Sequence, residues 1–124
     1  MRKLASLLTA VLLVLAGSLA LSACGSDEDT SSSSSQQTKR IDVTFEGDNV
    51  TPNGDRVEVG IGQPVELVVT ADAPGEIHVH SDPEQEKEYE KGTTILKLGS
   101  FDKPGIIEVE SHALDKTIVQ LEVK

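Results

Sequence analysis

A chain of 124 residues has room for one small domain. Its single cysteine excludes an internal disulfide, so the fold must be held by core packing. The formal net charge of −10 disfavours nucleic acid and anionic headgroups as partners. It favours cations, although an acidic surface also serves plain solubility in an exported protein.

The chain opens with Met1, Arg2 and Lys3, then runs uncharged from Leu4 to Ala23. A short basic start before an apolar stretch is the pattern of a secretion signal. The stretch ends in Leu21-Ser22-Ala23-Cys24, which resembles the bacterial lipobox. That resemblance implies cleavage before Cys24, lipidation (palmitate included) of that residue, and a lipid-anchored protein on the extracytoplasmic face of the cell membrane. The competing reading is an uncleaved membrane-spanning anchor, since about 20 apolar residues cross a bilayer. Both readings place the rest of the chain outside the cytoplasm. Loss of residues 1–23 removes Arg2 and Lys3 and no acid, which leaves the remainder more acidic still.

After Cys24, residues 25–39 contain no aliphatic or aromatic side chain and include the serine run Ser31 to Ser35. Such a segment buries nothing and is expected to be a flexible spacer, with the folded domain over 40–124. There the aliphatic residues are mainly Val and Ile, which suit a pleated sheet better than a helix. Ile41, Val43 and Phe45 alternate with polar residues. So do Val57 and Val59, Val65, Leu67 and Val69, Ile77 and Val79, and Ile107 and Val109; a final strand is expected over 118–123. Pro52-Asn53-Gly54-Asp55, Gly60-Ile61-Gly62, Pro74-Gly75, Gly99 and Pro104-Gly105 punctuate these runs. The pattern predicts an all-β, Greek-key antiparallel sandwich of roughly seven or eight strands. Residues 82–91 have a capping Asp82 and a starting Pro83, but Tyr89 is their only apolar residue, so a surface loop with at most a turn or two of helix is expected.

The three histidines are His78, His80 and His112. Residues two apart on a strand share a face, so His78 and His80 stand side by side opposite the inward Ile77 and Val79. Glu110 and His112 repeat that spacing beside an inward Val109. If the two strands are neighbours, one patch offers three imidazoles and a carboxylate. Imidazole suits copper, zinc, nickel and iron, and a mixed nitrogen and oxygen set suits Cu(II) or Zn(II). The plain alternative is a set of solvent-facing histidines with no ion.

Val50 to Pro52, Val57-Glu58-Val59-Gly60 and Gly62-Gln63-Pro64-Val65 resemble the opening of cupredoxin-like domains. Glu76-Ile77-His78-Val79-His80 falls where such domains carry their first copper-ligand histidine, and Pro104-Gly105 through Glu110 resembles the strand leading to their second ligand cluster. The resemblance covers nearly all of residues 41–124. It is strongest to the cupredoxin-like domains of secreted bacterial lipoproteins, including those attached to iron-uptake lipoproteins. It implies a cupredoxin-like sandwich with either a histidine and carboxylate site for copper, or zinc or iron, or no metal site at all.

This sequence departs from the blue-copper pattern of thiolate, second histidine and axial methionine. The thiolate position falls on Ser111, Ala113 to Lys116 offer no ligand, and the only methionine is Met1. Blue-copper electron transfer is therefore excluded.

Catalytic readings are poor. Ser111 and His112 are adjacent and face opposite ways, Gly60-Ile61-Gly62 lacks the setting of a phosphate loop, and Glu84 to Glu90 lack the spacing of an EF-hand. The expected function is a tethered, non-enzymatic metal binder with His78, His80, Glu110 and His112 as ligands and an unidentified envelope protein as its conceivable partner. The alternative is an interaction module that kept only the scaffold.

Overall fold

The computed structural model describes residues 36–124. The expected signal sequence, Cys24 and most of the spacer lie outside the described residues. Nine strands follow in order: β1 Lys39–Glu46, β2 Asn49–Thr51, β3 Asp55–Val59, β4 Val65–Ala71, β5 Gly75–Val79, β6 Gln85–Tyr89, β7 Gly92–Gly99, β8 Gly105–Ser111 and β9 Lys116–Val123. No helix occurs among the described residues. The strands form a four-stranded sheet in the order β2-β1-β4-β7 and a five-stranded sheet in the order β3-β9-β8-β5-β6.

The alternation seen in the sequence sets the core. Val43, Phe45, Leu67 and Val69 point inward from the first sheet, and Ile77, Val79, Val109, Val119 and Leu121 from the second; all are buried. Each such side chain contributes about 1.5–3 kcal/mol on leaving water, before the entropy of ordering it is counted.

The structure departs from the expected pattern in three places. Two strand pairs, β1 with β4 and β3 with β9, are parallel rather than antiparallel. The chain leaves the first sheet after β2, joins the second as β3 and returns as β4, so β4 runs in the direction of β1. Residues 82–91, expected as a loop, contain the edge strand β6. Its alternation is real but mostly polar: Gln85 and Lys87 are half-buried, Tyr89 is buried against Phe45 with ring centroids 4.8 Å apart, and Glu86 and Glu88 face water. An edge strand needs little apolar surface because one side of it stays solvated. Finally, Gln36 and Gln37, read above as spacer, dock on the loop before β4. Gln36 Nε2 donates to the Ile61 carbonyl at 3.3 Å, and Gln63 Nε2 to the Gln37 carbonyl at 2.8 Å.

One irregularity matters for the site. The β8–β9 register slips between Val109 and Glu110, pairing Val109 with Val119 but Glu110 with Thr117. Ile118 is the extra residue, buried next to the equally buried Val119. A bulge of this kind bends the strand and re-aims the side chains beside it.

Candidate metal centre

The centre lies on the outer face of the five-stranded sheet, where β5 meets β8. Ile77 and Val79 fill the core, so His78 and, just past the strand end, His80 emerge on the opposite side. His78 stands directly across from Glu110 in the β5–β8 ladder, and the His80 amide extends that ladder by donating to the Glu108 carbonyl at 2.9 Å. His112 is not on β8 as the sequence suggested. It opens the turn into β9, where the Asp115 amide donates to the His112 carbonyl at 3.3 Å and Asp115 takes a φ of 52°. Aspartate tolerates this left-handed conformation better than most residues. The turn nevertheless brings the His112 ring back over β5.

Each of the three imidazoles places a ring nitrogen within 4.8 Å of the others'. His78 Nδ1 is 3.1 Å from His112 Nε2, and His80 Nε2 is 2.8 Å from Glu110 Oε2. Glu110 Oε2 is also 3.9 Å from His112 Nε2. Ring centroids lie 4.6 Å apart for His78 and His80, 4.7 Å for His78 and His112, and 6.4 Å for His80 and His112. An ion with four bonds of about 2 Å sets its ligands about 3 to 3.5 Å apart; the His78–His112 contact lies in that range, the His80–Glu110 contact lies just below it, and the wider separations, up to 4.8 Å, have to close around an ion. Exposure rises across the cluster, from 14% for the His78 side chain through 36% for His80 to 62% for His112.

His80 and Glu110 shape each other's charge. The hydrogen bond to Glu110 raises the His80 pKa above its ordinary value, helped by the charges of Glu110, Glu84 and Glu108 against the cost of desolvation. The same bond lowers the Glu110 pKa, aided by the His80 charge, by a hydrogen bond from Thr117 Oγ1 at 3.3 Å and by the His112 charge. Around the cluster the face is acidic: Glu86 pairs with His78 on the β6 side, and Glu76 and Glu88 oppose one another. Such a surface draws cations toward the histidines.

The sequence missed Glu84. It precedes β6, and its carboxylate lies 3.4 Å from His78 Nε2 and 3.7 Å from His80 Nδ1. The turn is fixed by Ser81 Oγ, which donates to the Pro83 carbonyl at 2.6 Å, and by Gln85 Nε2, which donates to the Leu98 carbonyl at 3.1 Å. The usable clue was Asp82-Pro83, a chain reversal that folds whatever follows it back over His78 and His80.

Ser111 ends β8 with its side chain in the core, 1% exposed and with no hydrogen-bond partner for its hydroxyl. Ser111, the position that the sequence resemblance sets against a blue-copper thiolate, thus faces away from the imidazoles, across the thickness of the sheet. These residues do not fit a blue-copper centre. The all-nitrogen-and-oxygen set on the outer face fits Cu(II) or Zn(II).

No family model matches the chain, and no curated protein matches it in sequence. Among solved structures, the purple cupredoxin of Nitrosopumilus maritimus aligns with a TM-score of 0.51 at 14% identity, over 69% of this chain and 99% of its own. A multi-copper oxidase from Pediococcus acidilactici aligns at 0.49 and 15% identity, over 94% of this chain and 31% of its own. An amicyanin mutant in its Cu(I) form aligns at 0.47 and 12% identity, over 68% and 82%. With its two facing sheets and this strand arrangement, the described part of the chain is a cupredoxin-like β-sandwich, alike in fold while distant in sequence.

Proposed function

We propose that this protein is a tethered, non-catalytic binder of a divalent transition-metal ion, serving storage, delivery or sensing on the outer side of a bacterial membrane. The observation that carries the reading is the convergence of three imidazole nitrogens within 4.8 Å on one sheet face. His78, His80 and His112 would hold the ion, with the Glu110 carboxylate as the oxygen donor. Copper is the first candidate, because the fold is shared with a protein named as a cupredoxin and imidazole with carboxylate suits Cu(II). Zinc and iron are the alternatives. When bound, the ion supplies Lewis acidity and, for copper or iron, redox capacity; the residues supply a preorganised grip.

Titration calorimetry of the purified chain in detergent with Cu(II) and Zn(II) tests this. The reading expects one ion per chain at micromolar concentration or tighter, and loss of that heat in the His78→Ala/His112→Ala double variant. No heat from wild-type protein, or equal heat from the variant, would remove it. A scaffold without an ion draws on the internal pairing of His80 with Glu110 and of His78 with His112, which leaves these groups partnered without metal. The same titration separates the two. Tethering rests on the lipobox resemblance at Cys24, and Cys24→Ala is expected to abolish incorporation of labelled fatty acid; continued labelling would contradict it.

A further inference from the structure

We infer that Glu84 is a positioning residue of the metal centre: one carboxylate that faces the outward nitrogens of both His78 and His80 and so, with the ion bound, holds each hydrogen away from the ring atom offered to the ion. The inference rests on the metal-binding reading above and extends it to a residue outside the ligand set.

Both imidazoles have two nitrogens in polar contact, and the contacts divide cleanly. His78 turns Nδ1 toward His112 and Nε2 toward Glu84. His80 turns Nε2 toward Glu110 and Nδ1 toward Glu84. A neutral imidazole carries one N–H and one lone pair, and a carboxylate stabilises the N–H on the nitrogen it faces. Glu84 therefore favours the hydrogen on His78 Nε2; on His80 the nearer Glu110, at 2.8 Å, holds it on Nε2 in the metal-free chain, and Glu84 favours Nδ1 once an ion occupies Nε2 and Glu110. In the metal-loaded chain the lone pairs given to the ion are then those of His78 Nδ1 and His80 Nε2, the two atoms directed at His112 and Glu110. One side chain thereby selects opposite ring nitrogens on neighbouring histidines.

At 3.4 and 3.7 Å the two contacts are longer than good hydrogen bonds. Glu84 is 63% exposed, and a shift of a few tenths of an ångström closes either contact. The stiff turn behind it holds the backbone in place, through the Ser81 to Pro83 bond and the anchoring of Gln85 on Leu98.

Two measurements test this. In the Zn(II)-loaded, nitrogen-15-labelled chain, long-range proton–nitrogen correlation spectra report which nitrogen of each histidine is coordinated. The expected result is His78 through Nδ1 and His80 through Nε2, and coordination of either through its other nitrogen overturns the inference. In parallel, Glu84→Gln is expected to weaken Zn(II) binding about 10-fold at unchanged stoichiometry, with Glu84→Asp restoring part of the loss. The metal-free Glu84→Gln chain should unfold at the wild-type midpoint. Affinity unchanged in Glu84→Gln would show that the carboxylate orients nothing. A loss as complete as that of His78→Ala would make Glu84 a direct ligand, overturning the positioning role while leaving the metal centre intact. Absence of both Zn(II) and Cu(II) binding by wild-type protein withdraws both readings together.

Discussion

Ser111 and His112 are neighbours in the chain, yet one hydroxyl ends in the core and the other residue's ring ends among histidines on the outside. The buried Ser111 oxygen is unpartnered, and a lone buried hydroxyl costs about 1–3 kcal/mol. Ser111→Ala is therefore expected to be neutral or to stabilise by up to about 1 kcal/mol in chemical denaturation, with metal affinity unchanged. Ser111→Cys should gain no intense visible absorption with Cu(II), because its thiol would face the core. The His80–Glu110 pair sets a pH dependence for the metal-free protein. His80 has a raised pKa, so its contribution is complete below the ordinary 6.5 and fades as pH climbs through the raised value. Glu110 has a lowered pKa, so its contribution is complete above the ordinary 4.5 and fades as pH drops through the lowered value. The pair thus stabilises most between 4.5 and 6.5, by less than about 1 kcal/mol given its exposure. Thermal unfolding of the metal-free chain should lose stability above pH 6.5, and His80→Ala should flatten that slope. Metal binding should run the opposite way and weaken in acid, since protons compete for the same nitrogens.

At the scale of elements, the hairpin of β5 and β6 carries His78, His80 and Glu84 and contains one close fit. Gly75 opens β5 beneath the buried Tyr89 ring; a Cβ there would meet Tyr89 Oη and come within 2.6 Å of its Cζ. The ring cannot yield, because it is stacked on Phe45. Gly75→Ala is expected to cost about 1–3 kcal/mol. Since Tyr89 is the only tyrosine and the chain lacks tryptophan, its fluorescence reports the displacement directly. This hairpin also marks where the sequence stopped being legible. Strands with aliphatic alternation, such as β4 and β8, could be read because every second residue is apolar. In β6 the inward positions are Gln85, Lys87 and Tyr89, which look like a solvated loop until the edge position is known. His78, His80 and Glu110 were legible for the same reason as the core, as the outward partners of Ile77, Val79 and Val109. His112 was found by spacing on a strand, although a turn delivers it. Glu84 was not found, because its role depends on a chain reversal rather than on periodicity.

For the whole molecule, the outer-face site depends on a sandwich held by its strand ladders and core packing with no internal disulfide. Leu67 sits at its centre, fully buried on β4. Leu67→Ala is expected to cost about 2–5 kcal/mol and to lower the unfolding midpoint of the metal-free chain. Bound metal should recover part of the loss, because an ion that binds only the folded state stabilises it. Parallel pairing and strand count were invisible in the sequence, since alternation records which face a residue occupies and not the direction of its neighbour. The central claim is that two strands and a turn aim His78, His80, His112 and Glu110 at one point outside the core. Anomalous diffraction from crystals of the Zn(II)-loaded chain locates the ion directly. The account expects a single site with bonds of about 2.0–2.2 Å to three imidazole nitrogens and a carboxylate oxygen of these residues. An ion seated elsewhere, or held by fewer than two of the histidines, would contradict it.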